Sequence, residues 1–118
     1  MYKIIFLFSI IFSNNVLAKV DNQTKIEIEQ LFNALNTSKC EFQRNNNWYS
    51  SQKASNHLKQ KYEYLIKKDI LTTTESFIEY AASKSSMSGI EYKVKCNNQT
   101  SSSKKWFLQQ LNLIRDKK

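Results

Sequence analysis

The sequence predicts a single α+β domain, and three observations predict it. Apolar residues recur at helical spacing in four segments, they alternate at period two around residues 40–44 and 90–96, and the only two cysteines fall in those alternating segments. A chain of 118 residues, 41% of them hydrophobic, has material for one small core. The expected order is αββααβα, a small antiparallel sheet (a hairpin plus one later strand) covered by about four helices and held by one disulfide.

The N-terminus, MYKIIFLFSIIFSNNVLAKV, sets Lys3 before the apolar run Ile4 to Phe12, then polar Ser13 to Asn15, then Val16-Leu17-Ala18. A basic residue, a short apolar stretch and small residues three and one before a cut are the order of a secretory signal peptide. Residues 1–18 are therefore read as a signal peptide cleaved after Ala18, and 19–118 as the domain. The apolar run is less than half of the roughly 20 residues that a spanning helix needs, so membrane contact is expected only through the uncleaved leader. No cysteine stands at the cut to carry a lipid.

Thr24-Lys25-Ile26-Glu27 has the spacing of a capping box, and Ile28, Leu31, Phe32 and Leu35 follow on one face, which predicts a helix over about Thr24 to Thr37. In CEFQRNNNWYS, Cys40, Phe42 and Arg44 alternate with Glu41 and Gln43, and three asparagines tolerate the left-handed backbone of a tight turn. A hairpin is expected there. Ala54, Leu58, Tyr62 and Leu65 mark a second helix from Ser51 to about Lys67. Thr72-Thr73-Thr74-Glu75 restarts a third with another capping box, fading near Lys84. Ile90, Tyr92, Val94 and Cys96 alternate as a strand. Asn97 to Ser103 is expected as a polar loop, and Trp106, Phe107, Leu111 and Ile114 as a closing helix.

Two cysteines in an exported chain permit one internal bond, Cys40–Cys96, and both would point to the apolar side of the sheet. There is no CxxC and a single histidine, so no metal or other cofactor is called for. Loss of Lys3 with the leader takes the formal charge from +8 to +7. Such a surface suits anionic envelope material, or simply aids solubility. Arg44 and Arg115 are the only arginines, a poor supply of the forks that specific nucleic-acid readout uses.

Chemistry-bearing residues are few. Ser50/Lys53, Ser101/Lys104 and Ser102/Lys105 have the Ser-x-x-Lys spacing in which lysine can accept a serine proton, and a chain this rich in both residues produces such matches by chance. His57 sits on a helix flank with Lys61 one turn on. The stretch Ser83 to Gly89, SKSSMSG, reads as a helix ending, with serine hydroxyls on the last carbonyls and Gly89 at positive φ, or as a hydroxyl-rich ligand loop. Arg44, His57, Lys61, Ser83, Ser85 and Ser86 form the candidate binding set. No catalytic residue is assigned.

Cys40-Glu41-Phe42-Gln43-Arg44-Asn45, Tyr49, Ala54, His57-Leu58, Lys61-Tyr62, Glu75, Phe77-Ile78, Ala82 to Gly89, Tyr92, Val94, Cys96 and Trp106 together resemble the YfeK-like family of small exported bacterial proteins. The hairpin turn departs from that pattern, with Asn46 where glycine is common. The resemblance implies a periplasmic protein of a Gram-negative bacterium and brings no activity, because the family is one of unknown function. Two functions follow as expectations: a non-catalytic module binding an anionic envelope component or a periplasmic protein, or a small envelope hydrolase using His57 and a loop serine.

Overall fold

The computed structural model describes residues 20–117, so the leader expected over 1–18 lies outside the described residues. The elements run α1 (Asn22–Ser38), β1 (Glu41–Arg44), β2 (Asn47–Ser50), α2 (Ser51–Lys67), α3 (Thr74–Ala81), β3 (Lys93–Cys96), β4 (Gln99–Ser102) and α4 (Ser103–Asp116). The fold is α+β, with one four-stranded antiparallel sheet in the order β2-β1-β3-β4.

The fourth strand corrects the polar loop expected at Asn97 to Ser103. Gln99, Thr100, Ser101 and Ser102 carry no apolar residue, so an edge strand that buries little leaves no hydrophobic alternation to read. Its signal lies in the turn. Asn97 and Asn98 have φ 51° and 65°, and Asn45 and Asn46 in the first hairpin have φ 51° and 70°. Two consecutive positive φ values suit the twist of a two-residue hairpin. The Asn-Asn pair thus makes both hairpins of the sheet.

Helix starts are the other local corrections. Asp21 caps α1 by accepting from the Thr24 amide at 2.8 Å, so Thr24 lies inside the helix and Glu27 is left for another task. At α3 the box uses Thr73 and Ser76 rather than Thr72 and Glu75, each hydroxyl accepting from the other residue's amide at 3.0 Å. The boundaries of α2 match the sequence reading, with Ser50 as its cap.

The helices pack on one another and on the sheet, α2 against β1 and β2, α4 against β3 and β4. Phe77 is the centre of an aromatic cluster: its ring meets Phe32 at 5.5 Å, Tyr62 at 5.7 Å and Phe107 at 6.4 Å, in edge-to-face arrangements. Below it Phe42 and Val94 present the inner face of the sheet, with Tyr92 just before β3, all fully buried. Phe42 pairs with Val94 in register, which sets Cys40 opposite Cys96 one step beyond Glu41 and Lys95. The expected disulfide joins them with Cα atoms 4.6 Å apart.

α3 ends at Ala81, short of Lys84, and the Ser83 hydroxyl donates to the Ile78 carbonyl at 2.7 Å, as a helix-ending serine should. Gly89 does something else. It closes a separate loop in which the Gly89 amide donates to Ser85 O at 3.0 Å and the Ser85 amide to Ile90 O at 2.9 Å, with Lys84 bridging Glu91. The regular strand begins only at Lys93, and Ile90 stays 40% exposed because it belongs to this loop. At Gly89 φ is +75°, and an added Cβ would meet no atom within 4 Å. Only the backbone conformation demands glycine there. Gly89→Ala is expected to lose about 1 kcal/mol in urea unfolding, and Gly89→Asn less, because asparagine tolerates that region. An alanine variant as stable as the parent would contradict this account.

Candidate functional site

The centre of the site is a phenol that sequence reasoning placed in the core. Tyr92 is only 1% exposed, its ring packed against Phe42 at 5.1 Å, yet its hydroxyl emerges at the floor of an open concavity. A buried tyrosine normally finds a partner for its hydroxyl. Lys61 Nζ donates to Tyr92 Oη at 3.1 Å and also to the Lys84 carbonyl at 3.0 Å. Arg44 lines the same concavity, and its charge acts on the phenol. The Tyr92 hydroxyl also shares a hydrogen bond with His57 Nε2, 3.2 Å away, its direction set by the imidazole tautomer.

Two helical turns and one strand make this arrangement. His57 and Lys61 are four residues apart on α2, so they share a flank, with the Lys61 ammonium 4.8 Å above the Tyr92 ring. Arg44 is the last residue of β1, two positions after Phe42, and therefore on the same inner face at the end of the strand. Across the concavity stands the Gly89 loop. Ser88 donates through Oγ to Asn45 Oδ1 at 2.9 Å, which ties the loop to the first hairpin turn. The concavity measures about 470 Å3.

Of the candidate set, Arg44, His57, Lys61, Ser85 and Ser86 line this one concavity. Ser83 does not: it is buried, with its hydroxyl on Ile78 O and its carbonyl on the Tyr92 amide. Ser85 is mostly buried, and its Oγ accepts from the Ser88 amide at 3.2 Å, so it shapes the loop. Tyr92 was missed as a functional residue. Its signal was a tyrosine, rather than phenylalanine, at an inward position of the alternating run Ile90 to Cys96.

Electrostatics define the chemistry. Burial, then Arg44, then Lys61 push the His57 pKa down to about 4, so the ring is neutral at pH 7. Burial and then Arg44 lower Lys61 to about 8. Burial raises the Tyr92 hydroxyl above its ordinary value, so it stays a phenol. Among the described residues that line the concavity, none is acidic. Two cationic side chains, Arg44 and Lys61, therefore line one concavity with no carboxylate among its described lining residues. A histidine whose native pKa lies below its unfolded value takes up its proton only on unfolding. As pH falls from about 6.5 toward 4, His57 favours the unfolded chain.

Fold and site together define a small disulfide-stapled α+β domain with a cationic, phenol-floored concavity between a helix flank and a loop. The chain matches the model of a family of unknown function (DUF5329) over residues 22–115, and it belongs to that family. No curated protein and no solved structure matches it. Among the described residues no cluster of His, Cys, Asp and Glu is arranged to hold a metal ion, and no helix is long and apolar enough to cross a membrane.

Proposed function

We propose that the protein is an exported periplasmic module of a bacterium that binds a carboxylate or phosphate group in the Arg44–Lys61–Tyr92 concavity, without turnover. The observation that carries this reading is that Arg44 and Lys61, the latter bonded to Tyr92, line one concavity with no acidic neighbour among the described lining residues. Desolvated cations that repel one another gain from a shared anion, which supplies charge-assisted hydrogen bonds to both. Export is supported by the Cys40–Cys96 bond, because such bonds persist in oxidising compartments, and by the leader-like order of residues 1–18. The resemblance to YfeK-like proteins supports the periplasm.

Binding is favoured over the hydrolase by the same electrostatics. A serine hydrolase needs its histidine to accept a proton, and a carboxylate normally stabilises the resulting imidazolium. The charges that shift His57 are two cations, Arg44 and Lys61, which oppose that step.

The test is titration of the protein with phosphate and acetate, followed by amide and His57 ring chemical shifts. An anion favours the charged forms of Lys61 and His57, so both pKa values should rise from about 8 and about 4 on binding. Affinity should weaken as pH climbs through the Lys61 value and as salt screens the site. Arg44→Met and Lys61→Met should each weaken binding about tenfold. Anion binding that ignores both substitutions would place the site elsewhere.

A further inference from the structure

Exposed aromatic side chains gather beside the cationic centre. Tyr64 is 57% and Tyr80 52% exposed, and with Leu65 they line a second open concavity of about 220 Å3. It shares His57, Lys61 and Ser86 with the first, so the two are adjacent. An apolar cavity of roughly 150 Å3 holds a benzene ring, so the second concavity has the size of one aromatic side chain rather than of a long acyl chain. On the other side of His57 a third open concavity, about 340 Å3, continues toward Lys53, with Gln60 common to it and the aromatic one.

These spaces follow one flank of α2. Lys53, His57, Lys61 and Tyr64 recur at spacings of four, four and three, which is one stripe down a helix. From Lys53 to Tyr64 the helix rises about 16 Å, the length of roughly five extended residues. Free small molecules favour enclosed pockets that cover most of their surface, whereas an open stripe suits a segment of chain.

We propose that this stripe receives the C-terminus of an extended peptide ending in an aromatic residue. Its carboxylate would lie between Arg44 and Lys61, its ring against Tyr64 and Tyr80, and its preceding amides along Gln60. This rests on the concavity being an anion site, and it adds the body that carries the anion. Charge complementarity selects the terminus, because an internal peptide segment offers no backbone carboxylate. The exposed Tyr80 ring, with Tyr64 beside it carrying Lys68 Nζ 5.8 Å from its centroid, selects the ring, since offset and edge contacts between rings add to the area they bury.

The experiment measures affinity of the purified protein for acetyl-Gly-Gly-Phe, its C-terminal amide, acetyl-Gly-Gly-Gly, phenylacetate and acetate. The free-acid Phe peptide should bind at least about tenfold tighter than each of the other four. Tyr80→Ala should erase the preference for Phe over Gly while leaving acetate binding in place. Equal affinity for the Phe and Gly peptides overturns the aromatic terminus but leaves the anion site standing. Phenylacetate binding as tightly as the peptide overturns the peptide in favour of a free aromatic acid. If acetate, phosphate and all the peptides fail to bind, the anion site itself falls.

Discussion

Reduction of the Cys40–Cys96 bond is expected to remove much of the stability of this protein. The bond joins residues 56 apart in sequence, and in the chain-entropy model a loop of that length stabilises by on the order of 4 kcal/mol, through restriction of the unfolded chain. Domains of this size commonly have a net stability of about 5–15 kcal/mol, so the loss is a large share of it. The expected fall in melting temperature is about 20 °C, taking roughly 4–8 °C per kcal/mol for a domain near 100 residues. A thiol assay on the folded, unreduced protein should find no free thiol. Two titratable thiols, or a melting temperature indifferent to reductant, would contradict the structure. Because the pair sits at one end of the β1–β3 ladder, a Cys40→Ser/Cys96→Ser variant should lose a similar amount while keeping its sheet register, which Phe42 and Val94 still hold.

The second large effect is expected at Arg115. Its guanidinium grips two carboxylates: Nε and Nη2 donate to Glu27 at 3.0 Å each, and Nη1 donates to Glu75 at 2.6 Å. Glu27 is nearly buried, its side chain 6% exposed, and it also accepts from the buried Thr74 hydroxyl at 2.6 Å. The network fastens α1, α3 and α4 together. Hydrogen bonds from Arg115 hold the Glu75 carboxyl below its ordinary value, and those carboxylates push the arginine pKa upward. Arg115→Met would leave Glu27 charged in a poorly solvated position. Removal of one partner of a buried pair costs about 3–5 kcal/mol, and the partial exposure of Arg115 itself brings the expectation to about 2–4 kcal/mol in urea unfolding. Adding Glu27→Gln removes the stranded charge yet keeps an acceptor for Thr74. The double variant should therefore recover at least about 1 kcal/mol over Arg115→Met alone. If the single variant lost less than about 0.5 kcal/mol, the network would be a surface ion pair and nothing more.

Glu27 also shows how far local sequence patterns reach. Its spacing from Thr24 fits a capping box, and that reading accounts for the residue without any long-range partner. The structure gives the cap to Asp21 and sends Glu27 inward to a partner 88 residues away. The four helices, by contrast, were legible from apolar residues at helical spacing, and α2 was legible almost to the residue, since the spacing from Ala54 to Leu65 and a run to Lys67 free of glycine and proline are local signals. The first hairpin was legible because Phe42 alternates with polar neighbours and the asparagines mark the turn. The second hairpin repeats that turn chemistry at Asn97-Asn98, but β4 offers no apolar residue to confirm it.

For the candidate site, sequence reading picked out Arg44, His57, Lys61, Ser85 and Ser86, which one concavity brings together, and also Ser83, which the core takes up. It set Tyr92 among the packing residues, where its ring does belong. The hydroxyl escaped notice because its partners lie 31 and 35 residues away, on the flank of another element. Met87, 98% exposed at the tip of the Gly89 loop, carries no periodic signal at all.

By itself the sequence determined the helices, the first hairpin and the disulfide pairing. Each follows from contacts within one or two turns of chain, or from there being only one pairing to make. The tertiary structure alone decided the fourth strand, the burial of Glu27 under Arg115, the role of Gly89 in a loop of its own, and the gathering of Arg44, Lys61 and Tyr92 in one concavity. All four depend on how separate elements pack, and a contact between distant residues imposes no spacing on the sequence that either residue could reveal.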